Sequence, residues 1–156
     1  IANDNGAGQV VISGNKAAVE RACEIAKAKG AKRAMMLNVS APFHCALMQP
    51  AADAMAQALG KISVKTPVVP VVANVRAAPI GEPAEIVRAL IEQVTGTVRW
   101  RECVSCMAAQ GVTTFYEAGA GKVLTGLVKR IDRSVKTIPV NSVKGLEQAE
   151  EALATG

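Results

Sequence analysis

The sequence is poor in aromatic residues: phenylalanine, tryptophan and tyrosine together make up 3% of its 156 residues. Single-stranded nucleic acids are held largely by bases stacking on aromatic rings, so this composition argues against that class of binding protein. The net charge is +5, yet the lysines and arginines are scattered between apolar positions. This pattern favours an anionic partner, such as a phosphorylated cofactor or an acidic protein, over a nucleic acid groove.

The chain also lacks an apolar run of bilayer-spanning length, and its first residues show no basic-then-apolar signal pattern. We therefore expect a cytoplasmic protein that does not associate with membranes. In that compartment its four cysteines are expected to be free thiols. The sequence begins with Ile1 and passes directly into a polar turn, which we interpret as a chain cut from a longer one.

Histidine occurs once, as His44, between a strand-like run and the start of a predicted helix. An imidazole changes charge near neutral pH, so His44 is either an acid–base catalyst or a packing or capping residue. The residues around it leave both interpretations open at this point. A catalytic histidine commonly activates a serine or cysteine, but the adjacent Cys45 is not expected to serve, because neighbouring side chains generally point apart.

Strand-like and helix-like patterns alternate along the chain, which predicts an α/β fold with a largely parallel sheet. Strands are predicted over residues 8–13, 33–39, 64–75, 112–116 and 135–140. Helices are predicted from a cap at Asn15 to Gly30, over 47–59, 83–94 and 145–154, and from Trp100 to Gly111.

The predicted helix over 83–94 contains an exception to its own pattern. Its apolar stripe runs through Ile86, Ala89 and Leu90 and then meets Gln93, an amide where an apolar residue is expected. A buried polar group needs hydrogen-bond partners, which makes Gln93 a candidate site residue.

Two other motifs are weaker signals. The turn from Glu117 to Gly126 is rich in glycine, but it matches neither a Walker loop nor a dinucleotide fingerprint. It either offers helix N–H groups to an anion or simply packs. Cys103 and Cys106 form a single CxxC inside a predicted helix, with no second pair and no suitable histidine spacing, so we expect no metal site there.

Three segments, in this order and spacing, resemble malonyl-CoA:acyl carrier protein transacylases of bacterial fatty acid synthesis, and the resemblance covers nearly the whole chain. They are Gly8-Gln-Val-Val-Ile-Ser-Gly14, Ser40-Ala-Pro-Phe-His-Cys-Ala-Leu-Met48 and Glu117-Ala-Gly-Ala-Gly-Lys-Val-Leu-Thr-Gly-Leu127.

The resemblance implies the C-terminal half of a protein in which a ferredoxin-like small subdomain is inserted in an α/β-hydrolase-like large subdomain. Residues 1–41 would be the C-terminal part of the small subdomain, and residues 42–156 the C-terminal part of the large one. It also implies a cytoplasmic enzyme that is monomeric at full length, uses malonyl-CoA as substrate, holds no bound cofactor or metal, and has acyl carrier protein as its partner.

Site residues follow from the same resemblance. In this family a serine in a Gly-His-Ser-Leu-Gly elbow attacks the malonyl thioester and a histidine, matched by His44, accepts its proton. A backbone carbonyl at a glutamine, matched by Gln93, replaces the usual triad carboxylate. Phe43 matches the pattern of malonyl-selective members, since a ring beside the acyl group leaves little room for an α-methyl branch. Matches to residues bordering the acyl and coenzyme A cleft are Asn3, Asn5, Gly119, Gly121 and Val123, while Ala120 replaces a proline common in the family.

No Gly-x-Ser-x-Gly is present in the chain, so the nucleophile is missing and we expect the chain alone to be inactive. Three rival hypotheses belong to other classes of protein. One is an acyltransferase domain of a polyketide synthase, and another is redox or zinc chemistry at Cys103 and Cys106. The third is a non-catalytic module that binds an acidic carrier protein through its basic residues Lys122, Lys129, Arg130 and Arg133.

Overall fold

The computed structural model describes residues 1–154, which form a mixed α/β fold and so confirm that part of the prediction. The strands are β1 (Asn3–Asp4), β2 (Val10–Val11), β3 (Val71–Ala73), β4 (Ala78–Ile80), β5 (Thr114–Ala118) and β6 (Lys136–Val140). The helices are α1 (Lys16–Ala28), α2 (Gln49–Leu59), α3 (Pro83–Thr95), α4 (Trp100–Ala109), α5 (Val123–Ile131) and α6 (Val143–Ala154). A short 3-10 helix, Ala46–Met48, leads directly into α2.

The helices lie close to their predicted positions because their start and stop residues act locally. Pro50 and Pro83 lie in the first turns of α2 and α3, where a missing backbone N–H costs nothing. Gly111 follows α4 with a φ of 89°, a left-handed conformation that glycine adopts without a steric penalty. The cap predicted at Asn15 is different: its side chain makes no cap hydrogen bond, and its carbonyl accepts the N–H groups of Ala18 and Val19.

The strands pair into three two-stranded sheets within residues 1–154. The β1–β2 and β3–β4 pairs are antiparallel, whereas β5 and β6 are parallel in a register that runs from Thr114 opposite Lys136 to Ala118 opposite Val140. A tight connection allows only antiparallel neighbours, and the parallel pair has helix α5 as its crossover. The prediction of a largely parallel sheet is therefore wrong outside β5–β6.

The strand prediction over 33–39 is also wrong, because that segment has no regular structure. Its apolar residues have a high propensity for β structure, but a strand forms only where a neighbouring strand completes the hydrogen-bond ladder. Strand β4 has a partner strand but shows no strand pattern in the sequence, because it has only three residues and one of them is Pro79.

Internal contacts divide the chain into two compact units. The first unit contains Ile1–Asp4 and Val10–Arg99, packs α2 against α3, and buries Ala2, Ala52, Ile80 and Ala89. The second unit contains Asn5–Gln9 and the chain from Trp100 onward, packs α5 and α6 against β6, and buries Cys103, Val104, Leu127, Val128 and Ala149. In the described residues, no helix is long and apolar enough to cross a membrane.

Candidate active site

The candidate site begins at the turn that carries His44. Its φ is 59°, so it is one of the few residues other than glycine with a left-handed backbone conformation. On its N-terminal side, the N–H of Phe43 donates to the carbonyl of Ala41 at 3.0 Å. On its C-terminal side, the thiol of Cys45 donates to the carbonyl of Pro42 at 3.1 Å. His44 itself is half-buried.

The end of helix α3 supplies the other half of the site. The last four carbonyl groups of an α-helix have no partner inside the helix. Here the N–H of Gly96 bonds the carbonyl of Glu92 at 2.8 Å, and Gly96 then takes an extended conformation with ψ of 156°. The chain leaves the helix at that point. The next carbonyl, that of Gln93, therefore needs a hydrogen-bond donor from outside the helix.

His44 provides that partner. Its Nδ1 lies 2.9 Å from the backbone oxygen of Gln93 and 3.2 Å from the side-chain nitrogen of the same residue. A carbonyl oxygen only accepts, so the shorter contact requires a proton on Nδ1. With that proton in place, Nδ1 cannot also accept from the side-chain nitrogen of Gln93, so the backbone oxygen is the hydrogen-bond partner that orients the ring.

This arrangement determines which ring nitrogen of His44 can accept a proton. With the proton on Nδ1, the lone pair is on Nε2, for which residues 1–154 supply no hydrogen-bond partner. Nε2 is therefore available to accept a proton from a group outside these residues. The oxygen facing Nδ1 lies at the C-terminal, negative end of the α3 dipole.

The neighbourhood of Gln93 is held by the turn between β3 and β4. Nη2 of Arg76 lies 2.7 and 2.6 Å from the two carboxylate oxygens of Glu92. A Cβ added to Gly96 would lie 2.8 Å from the oxygen of Glu92 and 2.8 Å from Cγ2 of Val75. The helix end thus approaches this turn so closely that only glycine fits at position 96.

The Gly-rich turn has a different arrangement, which answers the question left open by the sequence. The carboxylate of Glu117, at the end of β5, accepts the N–H of Leu124 at 3.0 Å and that of Thr125 at 2.7 Å. Asn141 donates to the carbonyl of Gly121 at 2.7 Å. The first N–H groups of α5 are already bonded within the chain, so the turn packs and does not offer them to an anion.

The sequence pattern does not reveal these contacts of Glu117 and Asn141. Burial acts to raise the pKa of Glu117, but the hydrogen bonds from Thr125 and Leu124 outweigh it and hold that pKa below its ordinary value. The available signal was an acidic residue at the end of a strand, a few residues before a helix start, where a carboxylate suits the helix dipole.

The remaining predicted residues lie in both units. Asn3 is in β1, opposite Val11 and bridged to Val98, and Phe43 is 45% exposed; both belong to the first unit. Asn5, whose N–H bonds the carbonyl of Gln9, belongs to the second unit together with Gly119, Gly121 and Val123. Of the predicted site residues, the structure brings His44 and Gln93 into direct contact.

None of the four cysteines forms a disulfide, as the sequence predicts. Cys103 is buried in α4, and Cys106 accepts a hydrogen bond from the side chain of Gln110 at 3.2 Å. Among residues 1–154, no group of three or more histidine, cysteine, aspartate or glutamate side chains is arranged to hold a metal ion.

Comparison with known proteins identifies the family of the chain. The family described as "Acyl transferase domain" matches residues 1–154. The malonyl CoA-acyl carrier protein transacylase of Bacillus subtilis is 48% identical over 153 residues, which are 98% of this chain and 48% of that protein. This chain therefore spans about half the length of the curated relatives it matches.

Solved structures give the same result. The acyl-carrier-protein-S-malonyltransferase of Bartonella henselae superposes with a TM-score of 0.95 at 53% identity, covering 99% of this chain and 49% of that one. A malonyl-transacylase in complex with its type II PKS acyl-carrier protein superposes with a TM-score of 0.92 at 47% identity, covering 97% of this chain and 49% of that one. The resemblance seen in the sequence is confirmed, and this chain belongs to the acyl transferase domain family.

Proposed function

We propose that this chain is the histidine-bearing part of an enzyme that transfers a malonyl group from coenzyme A to the phosphopantetheine thiol of an acyl carrier protein. The observation that carries the proposal is the hydrogen bond from Nδ1 of His44 to the carbonyl of Gln93, which leaves Nε2 without a partner among residues 1–154. Relatives named malonyl CoA-acyl carrier protein transacylase, about half of whose length this chain spans, support the choice of substrate.

The proposed reaction has two halves. A serine outside these 156 residues attacks the thioester carbonyl while His44 Nε2 takes the hydroxyl proton, and coenzyme A leaves as its thiol with that proton. His44 then takes the proton of the phosphopantetheine thiol, whose sulfur attacks the acyl-serine. The ester bond breaks, and the serine oxygen recovers the proton. No bound cofactor or metal takes part.

The carbonyl of Gln93 has the role that a carboxylate has in a Ser-His-Asp triad. It holds the imidazole in the form with the proton on Nδ1, and the negative end of the α3 dipole stabilises the charge that develops on the ring. Because this role belongs to the backbone, it does not depend on the side chain at position 93.

Substrate contacts are proposed for the other matched residues. Phe43 would restrict the acyl pocket to unbranched malonyl, a discrimination of about 1–3 kcal/mol at most. The exposed basic residues of the second unit would meet the acidic carrier protein. We assign the cleft border to Asn3, Asn5, Gly119, Gly121 and Val123, and the carrier surface to Lys122, Lys129, Arg130 and Arg133.

The finer architecture is proposed on the same basis. Residues 1–41 would belong to a ferredoxin-like small subdomain and residues 42–156 to an α/β-hydrolase-like large one, in a cytoplasmic protein that is monomeric at full length. This boundary follows the family's fold, whereas the two compact units follow the internal contacts of this chain.

A chimera tests the proposed function. The part of the Bacillus subtilis relative that the match does not cover would be fused to this chain, and malonyl transfer from malonyl-CoA to carrier protein measured. We expect no transfer by the chain alone and measurable transfer by the chimera. Replacing His44 by alanine should lower kcat about 10²- to 10⁴-fold, the usual contribution of a general base.

Gln93→Ala is the matched control, because it keeps the backbone carbonyl on Nδ1 and should lower kcat far less than His44→Ala. A His44→Ala chimera as active as its parent would contradict the catalytic role and favour a carrier-binding module. A stable malonyl-protein formed by this chain alone would contradict the claim that its nucleophile lies elsewhere.

A further inference from the structure

The turn that carries His44 has an unfavourable backbone conformation. A left-handed conformation at φ of 59° is sterically unfavourable for any residue with a Cβ. Such a conformation persists only where the surrounding structure over-determines it. The contact between His44 Nδ1 and Gln93 acts on the ring at the far end of the side chain, so something closer to the backbone must hold the turn itself.

Cys45 makes contacts on both sides of this turn. Its thiol donates to the carbonyl of Pro42 at 3.1 Å, which closes a ring across Phe43 and His44. Its carbonyl accepts the N–H of Met48 at 3.0 Å, the bond that begins the 3-10 helix. Its own backbone is extended, with φ of −146° and ψ of 171°. One residue therefore ties the strained position to the helix that follows.

We propose that Cys45 is a positioning residue for His44: its thiol, by donating to the Pro42 carbonyl, holds the left-handed turn from which Nδ1 reaches the Gln93 carbonyl. This assignment rests on the proposed function for its catalytic consequence, but its geometric part is independent of any activity. Cys45 forms no covalent bond in this role and does not touch the substrate. What the position requires is a side-chain hydrogen-bond donor of short reach.

Substitutions separate that requirement from cysteine chemistry and from packing. Cys45→Ser keeps a short donor, and Cys45→Ala removes it. Cys45→Thr and Cys45→Val form a second pair with almost equal volume and shape, of which only threonine donates. The extended backbone at position 45 suits both β-branched residues, so this pair stays informative if alanine unfolds the chain. Cys23→Ala, in helix α1, is the control for loss of a thiol elsewhere.

Nuclear magnetic resonance of the imidazole gives the readout. Because His44 is the only histidine, its ring nitrogens are assigned without ambiguity in a ¹⁵N-labelled chain prepared without a histidine tag. We expect the parent chain, Cys45→Ser, Cys45→Thr and Cys23→Ala to carry the proton on Nδ1 and to exchange it slowly with water. In Cys45→Ala and Cys45→Val this exchange should be about fivefold faster, as for the loss of one net hydrogen bond of about 1 kcal/mol.

The outcomes divide clearly. If alanine and valine leave the Nδ1 proton as slow to exchange as serine and threonine do, the proposal is overturned. Equal acceleration in all four variants would overturn it as well, since sulfur and not the donor would then matter. In the chimera, Cys45→Ala should lower kcat about fivefold with KM for malonyl-CoA unchanged, and Cys45→Ser should restore kcat. If the chimera loses nothing when His44 is replaced, the proposed function fails, while the resonance measurement still decides the role of Cys45.

Discussion

Two helix ends in this molecule treat their unpaired backbone groups in opposite ways. At the C-terminal end of α3, the carbonyl of Gln93 has no helical partner and receives the imidazole of His44, which lies 49 residues away in sequence. At the N-terminal end of α5, the free N–H groups are occupied by the carboxylate of Glu117 from the strand before it. The end of α3 is thus bonded to a titratable side chain. The start of α5 is closed, in the sense that the carboxylate of Glu117 occupies its N–H groups.

The difference shows how a helix terminus becomes part of a site. Every helix leaves polar groups unpaired at both ends, so such an end alone says little about function. The end of α3 is distinctive because the ring that satisfies its carbonyl keeps a second nitrogen unpartnered within the described residues. At α5, both carboxylate oxygens of Glu117 are used to cap the helix.

The largest expected effect comes from disturbing the end of α3. Gly96→Ala places a Cβ 2.8 Å from the Glu92 oxygen and from Val75 Cγ2, so the helix end or the neighbouring turn must shift. We expect the free energy of unfolding in urea to fall by about 1–3 kcal/mol, as for other overpacked positions. The imidazole resonances of His44 should shift with it, because the Gln93 carbonyl moves.

Gly81→Ala is the control, since a Cβ at that position has open space around it. Its free energy of unfolding should stay within about 0.5 kcal/mol of the parent value. Equal stability of the two variants would mean that α3 does not depend on its close approach to the β3–β4 turn.

An intermediate effect is expected at the closed end. Glu117→Ala removes the carboxylate that caps α5 and should lower the free energy of unfolding by about 1 kcal/mol at neutral pH. Hydrogen bonds from Thr125 and Leu124 lower the pKa of Glu117 in the folded chain below its ordinary value. The contribution of Glu117 to stability is therefore present at neutral pH and is lost as the pH falls through that lowered pKa. The difference between parent and variant, measured by urea unfolding, should shrink from pH 6 to pH 3.

Glu82→Ala provides the comparison, because Glu82 also precedes a helix but its side chain makes no cap hydrogen bond. This variant should remain near the parent at every pH. If both glutamates behave alike, general charge and not the Glu117 cap determines the effect. In either variant the His44 resonances should be unchanged.

How far the sequence predicts these ends depends on the range of the interactions. Helix α3 was predicted almost to the residue, because its period and its Pro83 act locally. Gln93 stood out as an amide on an apolar stripe, and the resemblance added its pairing with His44. No side-chain pattern reveals that the contact uses the backbone oxygen, since every residue has one.

The failures have the same physical basis. Residues 33–39 have strand-like composition but no ladder partner, and β4 has a partner but little pattern of its own. Strand pairing depends on residues distant in sequence, which a local window does not contain. The capping role of Glu117 is not visible in the sequence, because it depends on where the following turn places the N–H groups of Leu124 and Thr125.

The smallest expected effect separates two ways of holding the α3 end. Arg76→Gln removes the ion pair with Glu92, which is nearly half exposed on both sides and should contribute about 0.2–1 kcal/mol at low salt. Screening should reduce that difference at about 1 M salt. Lys16→Gln, which breaks the longer 3.9 Å pair with Glu20 in α1, should change stability less. Because Gly96 still fixes the approach of the helix to the turn, the His44 resonances should stay where they are in Arg76→Gln. A shift as large as that in Gly96→Ala would instead identify the ion pair as the contact that places the Gln93 carbonyl.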